Sequence, residues 1–150
     1  MHRVSCVSDK AASVTAWEAL FRAQVSVLRQ LHAEFPTGQL SLNEYDVLFN
    51  LSRQPDRRTR IRDLNRHLLL TQPSVSRLVD RLVSRGMVRK EADPGDGRGT
   101  IVCLTDEGYD LYRTVGAQHA EAIHEHMSAL SVPELKSLTA LTDKLRQAQE

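Results

Sequence analysis

At 150 residues, 41% hydrophobic and 26% charged, the chain is long enough for one real core and is ordinary for a soluble globular protein. No apolar run approaches the roughly 18 residues of a membrane helix. Two cysteines, Cys6 and Cys103, make no disulfide framework. A net charge of +1 argues for no particular partner. Met1 to Asp9 lacks the apolar stretch of a signal peptide, so a cytoplasmic location is expected.

The periodicity predicts six helices around one β-hairpin, a mainly α (α+β) fold. Ala11 to Glu34 places Trp17, Leu20, Gln24, Val27, Leu28 and Leu31 at helical spacing, with Pro36 and Gly38 ending the element. Ser41-Leu42-Asn43-Glu44 is a capping box opening a helix whose inner face is Tyr45, Leu48 and Leu51. Arg53 to Arg58 reads as a polar, proline-containing connection, and Ile61 to Leu68 as a short helix. Thr71 is then an N-cap, with Pro73 in the first turn where a missing N–H costs nothing. Val75, Leu78, Val79 and Leu82 form one buried stripe, and Gly86 stands where a left-handed residue ends the helix.

Met87 to Ala92 and Thr100 to Leu104 are the expected strands, joined by the turn-rich tip Asp93-Pro94-Gly95-Asp96-Gly97-Arg98-Gly99. Val102 and Leu104 alternate with Ile101 and Cys103, so one pair faces the core and the other is more exposed. Thr105, with Asp106 and Glu107 behind it, caps a long helix. Ser131-Val132-Pro133-Glu134 is a second capping box, before a seam of Leu135, Leu138, Leu141 and Leu145. Apolar faces on helices at both sequence ends exceed what one thin core covers, which points to a symmetric second copy.

Helix, turn, second helix and basic-tipped hairpin, in that order, can place a helix in the DNA major groove and an arginine in the minor groove beside it. Charge is segregated to match. Arg53 to Arg98 carries 12 Lys/Arg against 6 Asp/Glu, so the remainder of the chain is net acidic. This gives a cationic face on an acidic body. With the apolar stripe inward, Pro73, Ser74, Arg77 and Arg81 face outward. Gln72 and Ser74 lie in the first turn, where Gln can read adenine, and Arg77 suits guanine O6 and N7. Ser76 and Arg81 suit phosphates or groove edges. Arg98 reaches for the minor groove, with Asp96 close enough to orient its guanidinium. Arg57, Arg58 and Arg60 add phosphate contacts or none.

The ordered set Thr71-Gln72-Pro73-Ser74-Val75-Ser76-Arg77-Leu78-Val79-Asp80-Arg81-Leu82, Gly86, Asp93-Pro94, Asp96-x-Arg98 and Val102-x-Leu104-Thr105-x-x-Gly108 resembles the MarR type of winged-helix transcriptional regulator. The likeness runs from Ala11 to Glu150. It implies a single domain of winged helix-turn-helix fold with amino- and carboxy-terminal dimerisation helices. These span about 11–35 and 105–148, around a head at about 41–104. It further implies a homodimeric, sequence-specific DNA-binding regulator, a repressor on a pseudo-palindromic operator that lets go when a small aromatic or carboxylate effector binds. In that architecture the effector cleft would be lined by Trp17, Phe21, Tyr45, Tyr109 and Tyr112, with Arg113 or a histidine to meet an anionic group. One departure is visible: the family's turn between the two short helices often holds glycine, where this chain has Leu68-Leu69-Leu70.

Other readings stay open beside this one. No phosphate loop, nucleophile elbow or paired metal-ligand motif is present, so neither an enzyme nor a cofactor is expected. His119 and His126, seven apart, share a helix face with Tyr112, Val115 and Ala122. With Glu121, Glu125 or His32 they could serve a metal sensor, although packing histidines fit that face as well. Cys6, in a loose tail beside His2 and Arg3, could serve a redox sensor. A winged helix used for protein contact, or an architectural DNA binder, are the remaining alternatives.

Overall fold

The structure, a computed structural model, describes residues 3–68 and 70–150, and the side chains of all of these except residues 3–8 and 67. Among the described residues, nine α-helices and strands follow in order: α1 (Arg3–Glu34), α2 (Leu42–Ser52), β1 (Arg58–Arg60), α3 (Ile61–Leu64), α4 (Gln72–Ser84), β2 (Val88–Asp93), β3 (Asp96–Leu104), α5 (Asp106–Met127) and α6 (Val132–Gln147). They form two compact units. One is residues 34–120; the other is made by residues up to Ala33 and from Glu121 onward.

The unit of residues 34–120 is built on α4. Thr71 caps it by accepting the Ser74 N–H at 3.3 Å, and its apolar stripe of Val75, Leu78, Val79 and Leu82 is buried throughout. Gly86, at φ 75°, ends it in a Schellman motif: its own N–H bonds Val83 O, and the Met87 N–H bonds Leu82 O at 2.9 Å. The stripe packs with Val47, Leu48 and Leu51 of α2, Leu64 of α3, and Val88, Val102 and Leu104 of the sheet. The capping box of α2 closes as its sequence demands. The Glu44 carboxylate accepts the Ser41 N–H at 3.2 Å, while Ser41 Oγ accepts the Glu44 N–H at 3.1 Å.

The sheet has three antiparallel strands in the order β1-β3-β2. Arg58 stands opposite Cys103 and Arg60 opposite Ile101, while β2 pairs Val88 with Leu104 and Glu91 with Ile101. Thr105 ties the sheet to α5, donating its hydroxyl to Gly86 O at 2.7 Å and accepting the Gly108 N–H at 3.0 Å. Gly108 must be glycine here, because an added Cβ would lie 2.0 Å from the Met87 carbonyl oxygen.

Four expectations are corrected. The helix expected from Ala11 starts at Arg3, so Cys6 lies within α1 rather than in a loose tail, with its side chain outside the described residues. The helix expected over Ile61 to Leu68 stops at Leu64 and continues as a 3-10 turn, Asn65–His67. Leu69, at the departure from the family's glycine, lies outside the described residues, while Leu68 and Leu70 pack partly on the core. The supposed connection after Arg53 ends in a strand, β1. Last, Cys103 is buried, at 2% exposure, although it lies on the outer face of the sheet. Arg58 and Arg89 flank it in register on the two neighbouring strands.

The second unit consists of α1, the end of α5, and α6. A capping box opens α6, where Glu134 accepts the Ser131 N–H at 2.8 Å, which holds the Glu134 carboxyl below its ordinary value. No hydrophobic side chain of this unit is fully buried among the described residues, and Trp17, Phe21, Leu138, Leu141 and Leu145 are all exposed.

Candidate nucleic-acid interface

The outward face of α4 begins at its cap. Thr71 Oγ1 donates to Ser74 Oγ at 2.9 Å, and Arg77 donates to the same oxygen at 3.3 Å. Arg77 is thereby folded toward the start of the helix and held there, which lowers the entropy lost on binding. Gln72 and Arg81 are exposed beside it, and Ser76 is half-buried. Asp80, the carboxylate of this helix, is paired with Lys90 of β2. Arg77, Arg81 and Arg98 carry no ion pair among the described residues. Unpaired guanidiniums on an exposed helix face are what phosphates and guanine edges require.

The hairpin is tighter than the sequence suggested, because β3 starts at Asp96 and only Pro94 and Gly95 form its turn. Asp93 is buried at its base, where its carboxylate accepts the Gly95 N–H at 2.9 Å and pairs with Arg60 Nε at 2.6 Å. That pair joins β1 to the wing tip. Asp96 corrects an expectation: its carboxylate accepts the backbone N–H of Arg98 at 3.1 Å, shaping the turn instead of holding the guanidinium. Arg98 itself is exposed at the tip.

The three arginines around β1 are braces. Arg58 pairs with Glu91 at 3.0 Å, and Arg60 with Asp93. Arg57 lies 3.6 Å over the Tyr109 ring, with Asp106 at 3.7 Å. In the sequence these residues are open between phosphate contacts and none, because the acidic partners that engage them come from distant positions on the chain.

Of the five aromatics named for an effector cleft, the structure brings three together. Tyr45 is buried, 5.5 Å from Tyr112, which lies 6.0 Å from Tyr109. Burial and the neighbouring Tyr112 push the Tyr45 hydroxyl up to about 12. Trp17 and Phe21 form their own pair on α1, ring centres 6.0 Å apart. His119 is a core histidine that the sequence placed only on a partly apolar face. It meets the rings of Phe35 and Tyr45 edge-on at 5.2 and 5.1 Å, its buried Nδ1 has no hydrogen-bond partner among the described residues, and burial lowers its pKa. Among the described residues, no group of three or more His, Cys, Asp or Glu could hold a metal. Burial raises the pKa of the Cys103 thiol, which disfavours the reactive thiolate.

Comparison with known proteins bears on the same face. A family model described as MarR family matches residues 39–99, the stretch from α2 to the first residues of β3. The HTH-type transcriptional regulator PecS of Dickeya dadantii (strain 3937) is 31% identical over 85% of this chain and 78% of its own length. The fold is similar to that of Sco3205, a MarR family transcriptional regulator from Streptomyces coelicolor solved in complex with DNA. The TM-score is 0.74 at 27% identity, over 92% of this chain and 88% of that one. It is also similar to the PcaV transcriptional regulator from Streptomyces coelicolor in complex with its natural ligand, with TM-score 0.69 and 26% identity over 87% and 92% of the two chains. The cap, apolar stripe and wing of this chain are thus those of a winged helix-turn-helix, and the chain belongs to the MarR family of DNA-binding transcriptional regulators.

Proposed function

We propose that this chain is a ligand-responsive repressor acting in the cytoplasm, which binds a pseudo-palindromic operator as a homodimer. The observation that carries the reading is the set of unpaired guanidiniums, Arg77 and Arg81 on α4 and Arg98 on the wing, in a head whose other arginines beside the wing are engaged by carboxylates. Gln72 and Arg77 read base edges, Ser74 helps hold Arg77, and Ser76 and Arg81 meet the backbone. Asp96 shapes the tip that carries Arg98 into the minor groove. The exposed apolar faces of α1 and α6 favour a two-fold pair, and two heads one helical turn apart require a palindromic site. Replacing Arg98 with Ala should weaken operator binding about tenfold or more per half-site while leaving the fold intact. Unchanged mobility-shift titrations would remove the wing from the interface.

The effector reading is supported by the clustering of Tyr45, Tyr109 and Tyr112, apolar rings with polar hydroxyls, side chains whose chemistry suits an aromatic carboxylate. Such a ligand weakens DNA binding only through its different affinities for the free and DNA-bound states, and operator weakens the ligand by the same factor. Selecting genomic fragments bound by the protein supplies the operator. Calorimetry of aromatic carboxylates with and without that operator is then the test, and equal affinity in both rules out control by that compound.

A further inference from the structure

We propose that the groove between the start of α2 and the outer face of α4 seats a backbone phosphate of the bound DNA, with Asn43 as a ligand supplied from outside the helix-turn-helix. The groove has a volume of about 460 Å³, with Asn43 on one side, Ser74, Arg77, Asp80 and Arg81 on the other, and Leu70 and Leu78 completing its lining. Two unpaired guanidiniums face one carboxylate in this lining, and Lys90 pairs with that carboxylate, Asp80, so the groove remains cationic. Glu44, on the same turn as Asn43, is engaged by the Ser41 N–H and by Arg85 at 3.1 Å.

Ser41 and Glu44 spend their side chains on each other's backbone in the capping box, which leaves Asn43 as the exposed polar side chain of the first turn of α2. Its amide offers two N–H donors and no charge. Being neutral, it can share a phosphate oxygen with Arg81 without adding repulsion to the site. A contact from α2 fixes where the head sits along the duplex and carries no base information, since phosphate contacts position and base contacts specify. The assignment rests on α4 being the reading helix.

The test uses the full chain, an operator fragment and a non-operator fragment of equal length, with Asn43→Ala, Asn43→Asp and Arg77→Ala. Asn43→Ala should weaken both DNAs by the same factor, roughly three- to tenfold, with the salt dependence unchanged because no charge is lost. Asn43→Asp should weaken both further and flatten the salt dependence by about one phosphate per head. Aspartate is favoured in a helix's first turn, so an unchanged melting temperature should confirm that neither variant is unfolded. A neutral methylphosphonate at the contacted phosphate should erase the difference between Asn43→Ala and the unmodified chain. Asn43 variants that bind both DNAs like the unmodified chain, while Arg77→Ala loses operator preference, overturn the phosphate site and leave the reading helix standing. A loss confined to operator DNA overturns it in favour of a base contact. An Arg77→Ala variant with normal operator preference overturns the reading-helix assignment itself.

Discussion

The two units of this chain solve the problem of apolar surface in opposite ways. Residues 34–120 hold every fully buried hydrophobic side chain among the described residues, with Val47, Leu48, Leu51, Val79, Leu82 and Val102 at 0% exposure. In the helical unit, Trp17 remains 60% and Leu141 66% exposed. Both regions have capped helices with apolar stripes, so the difference is not one of local helix formation. The head has a sheet to close against; the unit of terminal helices has none, and its apolar stripes stay exposed. A region that completes itself can be a reading device, whereas a region left open at its apolar face is suited to assembly.

The sharpest way to break this contrast is Leu141→Glu. A charge in the seam of α6 would be costly in a dry interface between copies and harmless on an exposed helix. Light scattering should show monomers, and operator affinity should fall by about two to four orders of magnitude as the two half-sites lose their linkage. A dimeric variant with normal affinity would mean that this seam covers nothing. The complementary substitution is Leu48→Ala, which opens a cavity in the head and should lower its unfolding free energy by about 2–5 kcal/mol in denaturant titrations. Leu145→Ala, at 51% exposure, should change the stability of the separated chain by no more than about 0.5 kcal/mol. Equal losses at the two sites would abolish the distinction between a closed and an open region.

The smallest effect tests how dry the head is around His119. Burial lowers its folded pKa, so the unfolded chain takes up the proton first, near the ordinary value of 6.5. The stability of the head should therefore be fully present above about pH 6.5 and decline as pH falls toward the folded pKa. The slope from this group is at most about 1.4 kcal/mol per pH unit. The comparison is with His119→Phe, whose denaturation midpoint should lack that part of the decline. Parallel pH profiles for the two proteins would assign the decline to other groups.

What was legible in the sequence was whatever is decided within one element. Thr71, the spacing of Val75, Leu78, Val79 and Leu82, and Gly86 state a helix and its ends, because a cap, a stripe and a left-handed stop are local requirements. The outward placement of Arg77 and Arg81 then follows by subtraction. What was hidden depends on a partner far along the chain. Arg58-Thr59-Arg60 has no apolar alternation and is a strand only because β3 offers it a free edge. Asp93 reads as a turn residue and is buried because Arg60 reaches it. Cys103 follows the alternation rule, yet it is buried in a central strand with Arg58 and Arg89 opposite it on either side, a pairing set by distant parts of the chain. Asn43 is in the sequence only a middle residue of a capping box, and the folded chain alone sets it across a groove from Arg77 and Arg81.

Glu44 carries a consequence of another kind. One of its carboxylate oxygens holds the first N–H of the α2 cap, and the other holds Arg85 at the end of α4. Arg85 also bonds the carbonyl of Gln39, just before α2. A single side chain thus serves as the shared pivot of two helices, and the pitch of the reading helix is inherited from the point where α2 begins. Ser41 and Arg85 never touch, yet their effects should be interdependent, because each fixes the rotamer on which the other relies. Adaptation of such a head to a new operator can vary the exposed side chains of α4 freely, but it cannot change the aim of the helix without also renegotiating that pivot.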